Sequence, residues 1–159
     1  TLGDNEFPAF LREQFENHNI APTKICFEIT ETIAVTNLST TLKFIEEFRA
    51  IGCNFSLDDF GSGFSSYGYL KSLPVDYLKI DGAFVKDMVA SDIDCAMVES
   101  INRIGHVMGK KTIAEFVESE EITDMLRRMG VDYAQGYGIS KPYPIDDIEV
   151  FIPATPSHP

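Results

Sequence analysis

Asp58 and Asp59 are adjacent, and Gly61-Ser62-Gly63 follows almost at once. Paired carboxylates beside a backbone able to bend tightly suit a hard cation held against a loop. Carboxylates one backbone step apart are expected to point in different directions, one bridging and one binding terminally two divalent ions about 3.5 to 4 Å apart. The bland alternative for such a pair is a helix N-cap or a plain loop. Four more residues repeat one pattern, a polar side chain among apolar neighbours. They are Glu28 in Phe27-Glu28-Ile29, Lys79 in Leu78-Lys79-Ile80, Glu115 in Ala114-Glu115-Phe116, and Gln135 after Ala134. Any one of them reads equally well as an exposed strand-end residue, but five matching positions, counting Asp58, shift the balance. Carboxylates with one lysine, and no suitably placed histidine or cysteine, favour oxygen-ligand ions such as Mg2+ or Mn2+ and make zinc a poor fit.

These residues need elements to bring them together, and the periodicity alternates between helix and strand along the chain. Phe7 to Asn17 is predicted as a helix, then a turn at Ala21-Pro22-Thr23 and a strand from Lys24 to Thr30. Leu42, Ile45 and Phe48 mark a second helix closed near Gly52, leading into a strand from Asn54 to Asp58. Ser65 to Leu73 reads as a short helix stopped by Pro74, and Asp76 to Asp81 as a third strand. Met97, Ile101, Ile104 and Met108 stripe a longer helix ending at Gly109, and Thr112 to Val117 is a fourth strand. Ser119 is a candidate N-cap, with Glu120 and Glu121 in the first turn, Ile122, Met125, Leu126 and Met129 inward, and Gly130 as the stop. Tyr133 to Tyr137 makes a fifth strand, and Ile145 to Phe151 a final helix before a proline-rich tail, about 152–159, expected to be flexible.

Strands joined by crossover helices imply a parallel sheet, and the repeated unit favours a (β/α) barrel over an open doubly wound sheet. Side chains alternate across a strand, so Glu28, Asp58, Lys79, Glu115 and Gln135 should converge at one mouth, where barrel enzymes carry their sites. Five strands fall short of the roughly eight that close such a barrel, so something else is expected to complete it.

Composition narrows the classes. The chain has 159 residues, 44% of them hydrophobic, enough to bury a core. Its 25 acidic residues against 13 lysines and arginines give a net charge of −12, with no basic block to follow a DNA or RNA backbone. Polymeric nucleic acid is therefore not an expected partner, whereas a small anion remains compatible with carboxylates that recruit cations. Cys26, Cys53 and Cys95 are widely spaced, without a CxxC pair, which argues against a disulfide framework and fits a reducing cytoplasmic compartment. No apolar run approaches the roughly 20 residues needed to span a bilayer, although the parent protein could carry an anchor elsewhere. Asp59-Phe60-Gly61 imitates the kinase metal triplet without the loops that must accompany it, and the glycines after it make no GxSxG elbow. The methionines and histidines read as core-face and helix-surface residues.

The segments Phe27-Glu28-Ile29-Thr30-Glu31, Leu57-Asp58-Asp59-Phe60-Gly61-Ser62-Gly63, Leu73 to Asp81, Ile113-Ala114-Glu115-Phe116-Val117-Glu118 and Ala134-Gln135-Gly136-Tyr137 resemble, in order and spacing, the EAL family of bacterial cyclic-di-GMP phosphodiesterases. The resemblance implies a modified TIM (β/α)8 barrel whose N-terminal strands are absent from this chain. It implies Mg2+- or Mn2+-dependent hydrolysis of cyclic-di-GMP to linear pGpG by the complete domain. Carried across residue by residue, Glu28, Asp58, Asp59 and Glu115 are metal ligands, with Glu115 also a candidate base. Lys79 is the active-site lysine, Glu31 braces the loop that begins at Asp58-Asp59, and Glu118 and Gln135 lie near substrate. Gly82 departs from the pattern, standing where a basic residue commonly follows Lys-Ile-Asp. The strands that would carry the signature glutamate, a neighbouring substrate-binding arginine and a metal-binding asparagine precede the chain. A homodimer and an upstream GGDEF or sensory domain are expected partners. The alternative is a degenerate EAL domain acting as a cyclic-di-GMP receptor or dimerisation module.

Overall fold

The computed structural model describes residues 6–61 and 67–144. Its elements are α1 (Phe7–Asn17), β1 (Cys26–Thr30), α2 (Glu31–Thr36), α3 (Leu38–Ala50), β2 (Asn54–Phe60), α4 (Tyr67–Leu70), β3 (Tyr77–Ile80), α5 (Gly82–Val85), α6 (Asp92–Val107), β4 (Lys111–Ala114), α7 (Glu120–Met129) and β5 (Tyr133–Ala134). The five strands form one sheet in sequence order, and every neighbouring pair is parallel. The expected α/β parallel architecture is therefore present.

Apolar alternation explains which face of each strand is covered. Phe55 and Leu57 of β2 and Leu78 and Ile80 of β3 are fully buried. The neighbouring Phe27 of β1 meets Phe44 and Phe48 of α3 edge-on, with ring centroids 5.5 Å apart in both pairs. Removing these rings from water drives the docking of α3 on the sheet, because each aromatic buries a large apolar area. The opposite set of strand residues, Glu28, Ser56, Asp58 and Lys79, is thereby turned to the other face. Ser119 caps α7 by accepting from the Ile122 N–H at 3.2 Å, and Ile122 and Leu126 face the core as their spacing requires. The glycines read as helix stops, Gly52, Gly109 and Gly130, all have positive φ.

Several boundaries differ from expectation. Helix α2 follows β1 without a break, although Thr32, Ile33, Val35 and Thr36 are β-branched and poor helix formers. Packing overrides that local preference, with Ala34 fully buried against the core. The fourth strand stops at Ala114 instead of Val117, because Phe116 adopts φ 52° and breaks the extended run. The fifth stops at Ala134 instead of Tyr137. Its chain then turns at Gly136, where a Cβ would come within 2.3 Å of the Val117 backbone nitrogen, so only glycine permits that approach. The expected helix from 145 to 151 and the tail lie outside the described residues, as do Ser62 to Ser66 in the glycine-rich loop.

Candidate active site

The C-terminal end of β2 departs from regular strand geometry. Leu57 pairs with Leu78 and Phe60 with Ile80, so one strand advances three residues while the other advances two. Asp59 is the extra residue of this bulge and takes φ 56°. A regular strand would have sent the Asp58 and Asp59 side chains to opposite faces, as the sequence suggested. The bulge turns Asp59 toward the same mouth as Asp58. One carboxylate oxygen from each of Asp58, Asp59 and Glu115 then lies within 4.8 Å of the others.

Lys79 is buried on the same face, only 3% exposed. Its Nζ stands 2.8 Å from Asp58 Oδ1, 2.8 Å from Glu115 Oε1 and 3.3 Å from Glu28 Oε2. Burial alone would lower the lysine pKa, but the contacts with Asp58 and Glu115 outweigh it and hold the ammonium charged. Glu28 meets the group through Lys79 and stands outside the tight carboxylate trio. Four carboxylates against one ammonium leave the mouth strongly negative. Desolvation, followed by repulsion from Asp58, raises the Asp59 pKa. Desolvation also raises that of Glu115, against the opposing pull of Lys79.

A divalent cation fits this set. The donors are hard oxygens, three of them lie within 4.8 Å of one another, and the excess charge is negative even with Lys79 counted. Glu31, 3% exposed at the start of α2, reaches the residue that follows β2. Its Oε2 accepts from the Gly61 N–H at 3.2 Å, and its Oε1 accepts a short bond from the Tyr69 hydroxyl of α4. Glu118 and Gln135 are placed beside Glu115, around a cavity of about 270 Å3 whose other walls are Phe116, Gly136 and Tyr137.

Residues 1–142 match the EAL domain. The chain belongs to the EAL domain family. It is 47% identical over 145 residues to the cyclic di-GMP phosphodiesterase PdeB of Shewanella oneidensis, covering 91% of this chain and 17% of that protein. It is 41% identical to the cyclic di-GMP phosphodiesterase PdeA of Borreliella burgdorferi, over 91% of this chain and 22% of that protein. The chain thus spans about a fifth of the length of these curated relatives. Among solved structures it resembles the PaMucR phosphodiesterase in complex with c-di-GMP, with TM-score 0.87 and 32% identity over 92% of this chain and 60% of that one. The five-stranded parallel sheet is therefore a partial barrel of the EAL type. Among the described residues, no helix is long and apolar enough to cross a membrane.

Two participants in this EAL mouth were not singled out as site residues from sequence. Tyr69 bonds Glu31 across 38 residues, and no local motif announces a contact of that range. Phe116 occupies a backbone conformation that its residue type gives no reason to expect.

Proposed function

We propose that the complete protein is a metal-dependent phosphodiesterase that hydrolyses one phosphodiester bond of cyclic-di-GMP to give linear pGpG. The observation that carries this reading is the convergence of Asp58, Asp59 and Glu115 around the buried Lys79. In it, Asp58, Asp59 and Glu115, with Glu28 beside them, would hold Mg2+ or Mn2+ in a two-ion site. What such ions supply when bound is activation of water near neutral pH and neutralisation of phosphoryl charge.

The chain's own residues do the rest. Lys79 presents a fixed positive charge to a substrate phosphate oxygen and keeps the carboxylates from splaying apart. Glu115, placed between the carboxylate trio and the Lys79 ammonium, is the group to accept the proton of the attacking water. Glu31 fixes the Gly61 N–H and so holds the backbone that carries Asp58 and Asp59, in the manner of the outer contacts that orient metal ligands. Gln135 and Glu118 offer polar groups to the nucleoside portion.

The relatives named as cyclic di-GMP phosphodiesterases, and the complex of a similar domain with that nucleotide, support the choice of substrate. A homodimer, an upstream GGDEF or sensory domain and a cytoplasmic site of action belong to the same proposal. In the described residues β1 and β5 are edge strands, and unpaired edges favour cover by further chain or by a second copy.

The test is pGpG formation by the complete protein with Mg2+, with Mn2+ and with a chelator. Metal-dependent pGpG is the expected result. Tight binding without turnover would replace the enzyme by a receptor, and neither binding nor turnover would remove cyclic-di-GMP from the account.

A further inference from the structure

Phe116 is anomalous in two ways. A bulky side chain at φ 52° sits in a region that L-residues other than Asn and Asp seldom occupy. The residue is also 58% exposed, so its burial does little to offset the strain. The ring instead rests on Gly82, where a Cβ would lie 2.0 Å from Phe116 Cδ2 and 2.6 Å from its Cγ. No side chain fits at position 82 while the ring keeps this place. The departure at Gly82 and the strain at Phe116 are therefore one arrangement, a bare backbone site with an aromatic ring laid across it.

Phe116 lines the cavity of about 270 Å3 that begins at Glu115, and Tyr137, 66% exposed, lines it too. That is room for one nucleoside unit, given that pockets for whole drug-sized ligands run from about 300 Å3 upward. Because Glu115 belongs both to the carboxylate trio and to this cavity, a phosphodiester at the trio has its nucleoside beside Phe116. Glu118 and Gln135 can address the polar edge of a base there, while an aromatic ring offers what they lack, a flat apolar face. Backbone strain concentrated next to reactive groups is a pointer to function.

We propose that Phe116, seated on Gly82, is a specificity-determining residue that stacks on a nucleobase of the bound substrate. This rests on the cyclic-di-GMP reading. The ring contributes no proton and no charge; it fixes the orientation of the base and, through it, the position of the phosphodiester.

Binding of a hydrolysis-resistant phosphorothioate analogue of cyclic-di-GMP to the complete protein, in Mg2+, tests the assignment. Phe116→Leu keeps an apolar plug over Gly82 but removes the aromatic face, and it should weaken binding roughly tenfold or more, whereas Phe116→Tyr should retain affinity. Gly82→Ala should reproduce the loss by displacing the ring, and should add little in the Phe116→Leu background. The ligand's base H8 proton should show an upfield ring-current shift with the wild type and Phe116→Tyr, absent with Phe116→Leu. Wild-type affinity and an unchanged H8 shift in Phe116→Leu would overturn the stacking role and leave the proposed function standing. Failure of the wild type to bind the analogue at all would take down both.

Discussion

Lys110, just before β4, and Lys79, near the end of β3, are both buried, yet they meet opposite surroundings. The Lys110 ammonium donates to the carbonyls of Leu73 and Val75 at 2.8 and 3.1 Å, and burial lowers its pKa. Lys79 faces three carboxylates instead. The same contrast separates the two ends of the sheet. At the strand starts, charges and peptide groups are matched. Asp76 accepts from the Phe55 N–H at 2.9 Å and pairs with Arg49 at 3.1 Å. Asp132 accepts from the Thr112 N–H and contacts His106 Nε2, both at 2.8 Å. Asn102 bridges the Thr112 hydroxyl and the Met129 carbonyl. At the strand ends, negative charge is in excess, with Glu28, Asp58 and Glu115 sharing the one Lys79 ammonium. A buried polar group that is fully matched fixes the fold, whereas carboxylates that outnumber their cations are available to a bound cation at a cost in stability.

That contrast breaks most sharply at Asp58. In the complete protein Asp58→Ala should lower turnover by about a thousandfold or more, because a bound metal supplies several kcal/mol to phosphoryl chemistry. Thermal unfolding should change little or move upward, since the substitution relieves crowded charge. Unchanged turnover would remove Asp58 from the mechanism.

Glu31→Ala should act next most strongly. Losing the acceptor for Gly61 and Tyr69 loosens the backbone behind Asp58-Asp59, and metal affinity, read by titrating Mn2+ into the activity assay, should fall by about 10- to 100-fold. An unaltered metal requirement would show that the bulge holds itself.

At the other end, Asn102→Ala should cost about 1–3 kcal/mol of stability by leaving the Met129 carbonyl without its side-chain donor and the Thr112 hydroxyl with only its longer contacts to Asp132. Turnover per folded molecule should be retained, as measured by denaturant unfolding alongside the pGpG assay. A large fall in turnover at full stability would mean that the two ends are coupled.

The smallest expected effect is one of pH. Desolvation alone would raise the Asp132 pKa, but the Thr112 and His106 contacts more than offset it, and the folded-state value lies below the ordinary 3.8. Its contribution to stability is therefore present above about pH 3.9 and is lost as pH falls through the folded-state pKa. Asp132→Asn should flatten the stability profile in that acid window while leaving its shape near neutrality. An identical acid limb would assign the loss to other carboxylates.

The chemistry-bearing residues were legible because side-chain alternation is local. Glu28 and Lys79 are each flanked by apolar residues that pack on the core, so each is turned to the other face wherever its strand forms, whereas Glu115 lies one residue past β4 and only the buried Ala114 before it carries that signal. Helices α1, α6 and α7 were legible for the same reason, their apolar stripes recurring within a few turns. Helix α2 was not, because its β-branched residues prefer extension and only packing against β1, β2 and α3 makes them helical. The bulge at Asp59 was also hidden, since an Asp-Asp pair looks the same in a straight strand and in a kinked one.

Sequence by itself determined the donor set, the order of the strands and the face taken by Glu28, Asp58 and Lys79, because these follow from residue type and from periods of two and about 3.6 residues. Tertiary structure decided how close the donors come. The three-against-two register of β2 and β3 brings Asp59 round to Asp58, Glu31 and Tyr69 meet across 38 residues to hold Gly61, and Gly82 leaves the space that the Phe116 ring fills. Each of these depends on atoms distant in the chain, where no local preference acts and only the folded backbone sets the separation.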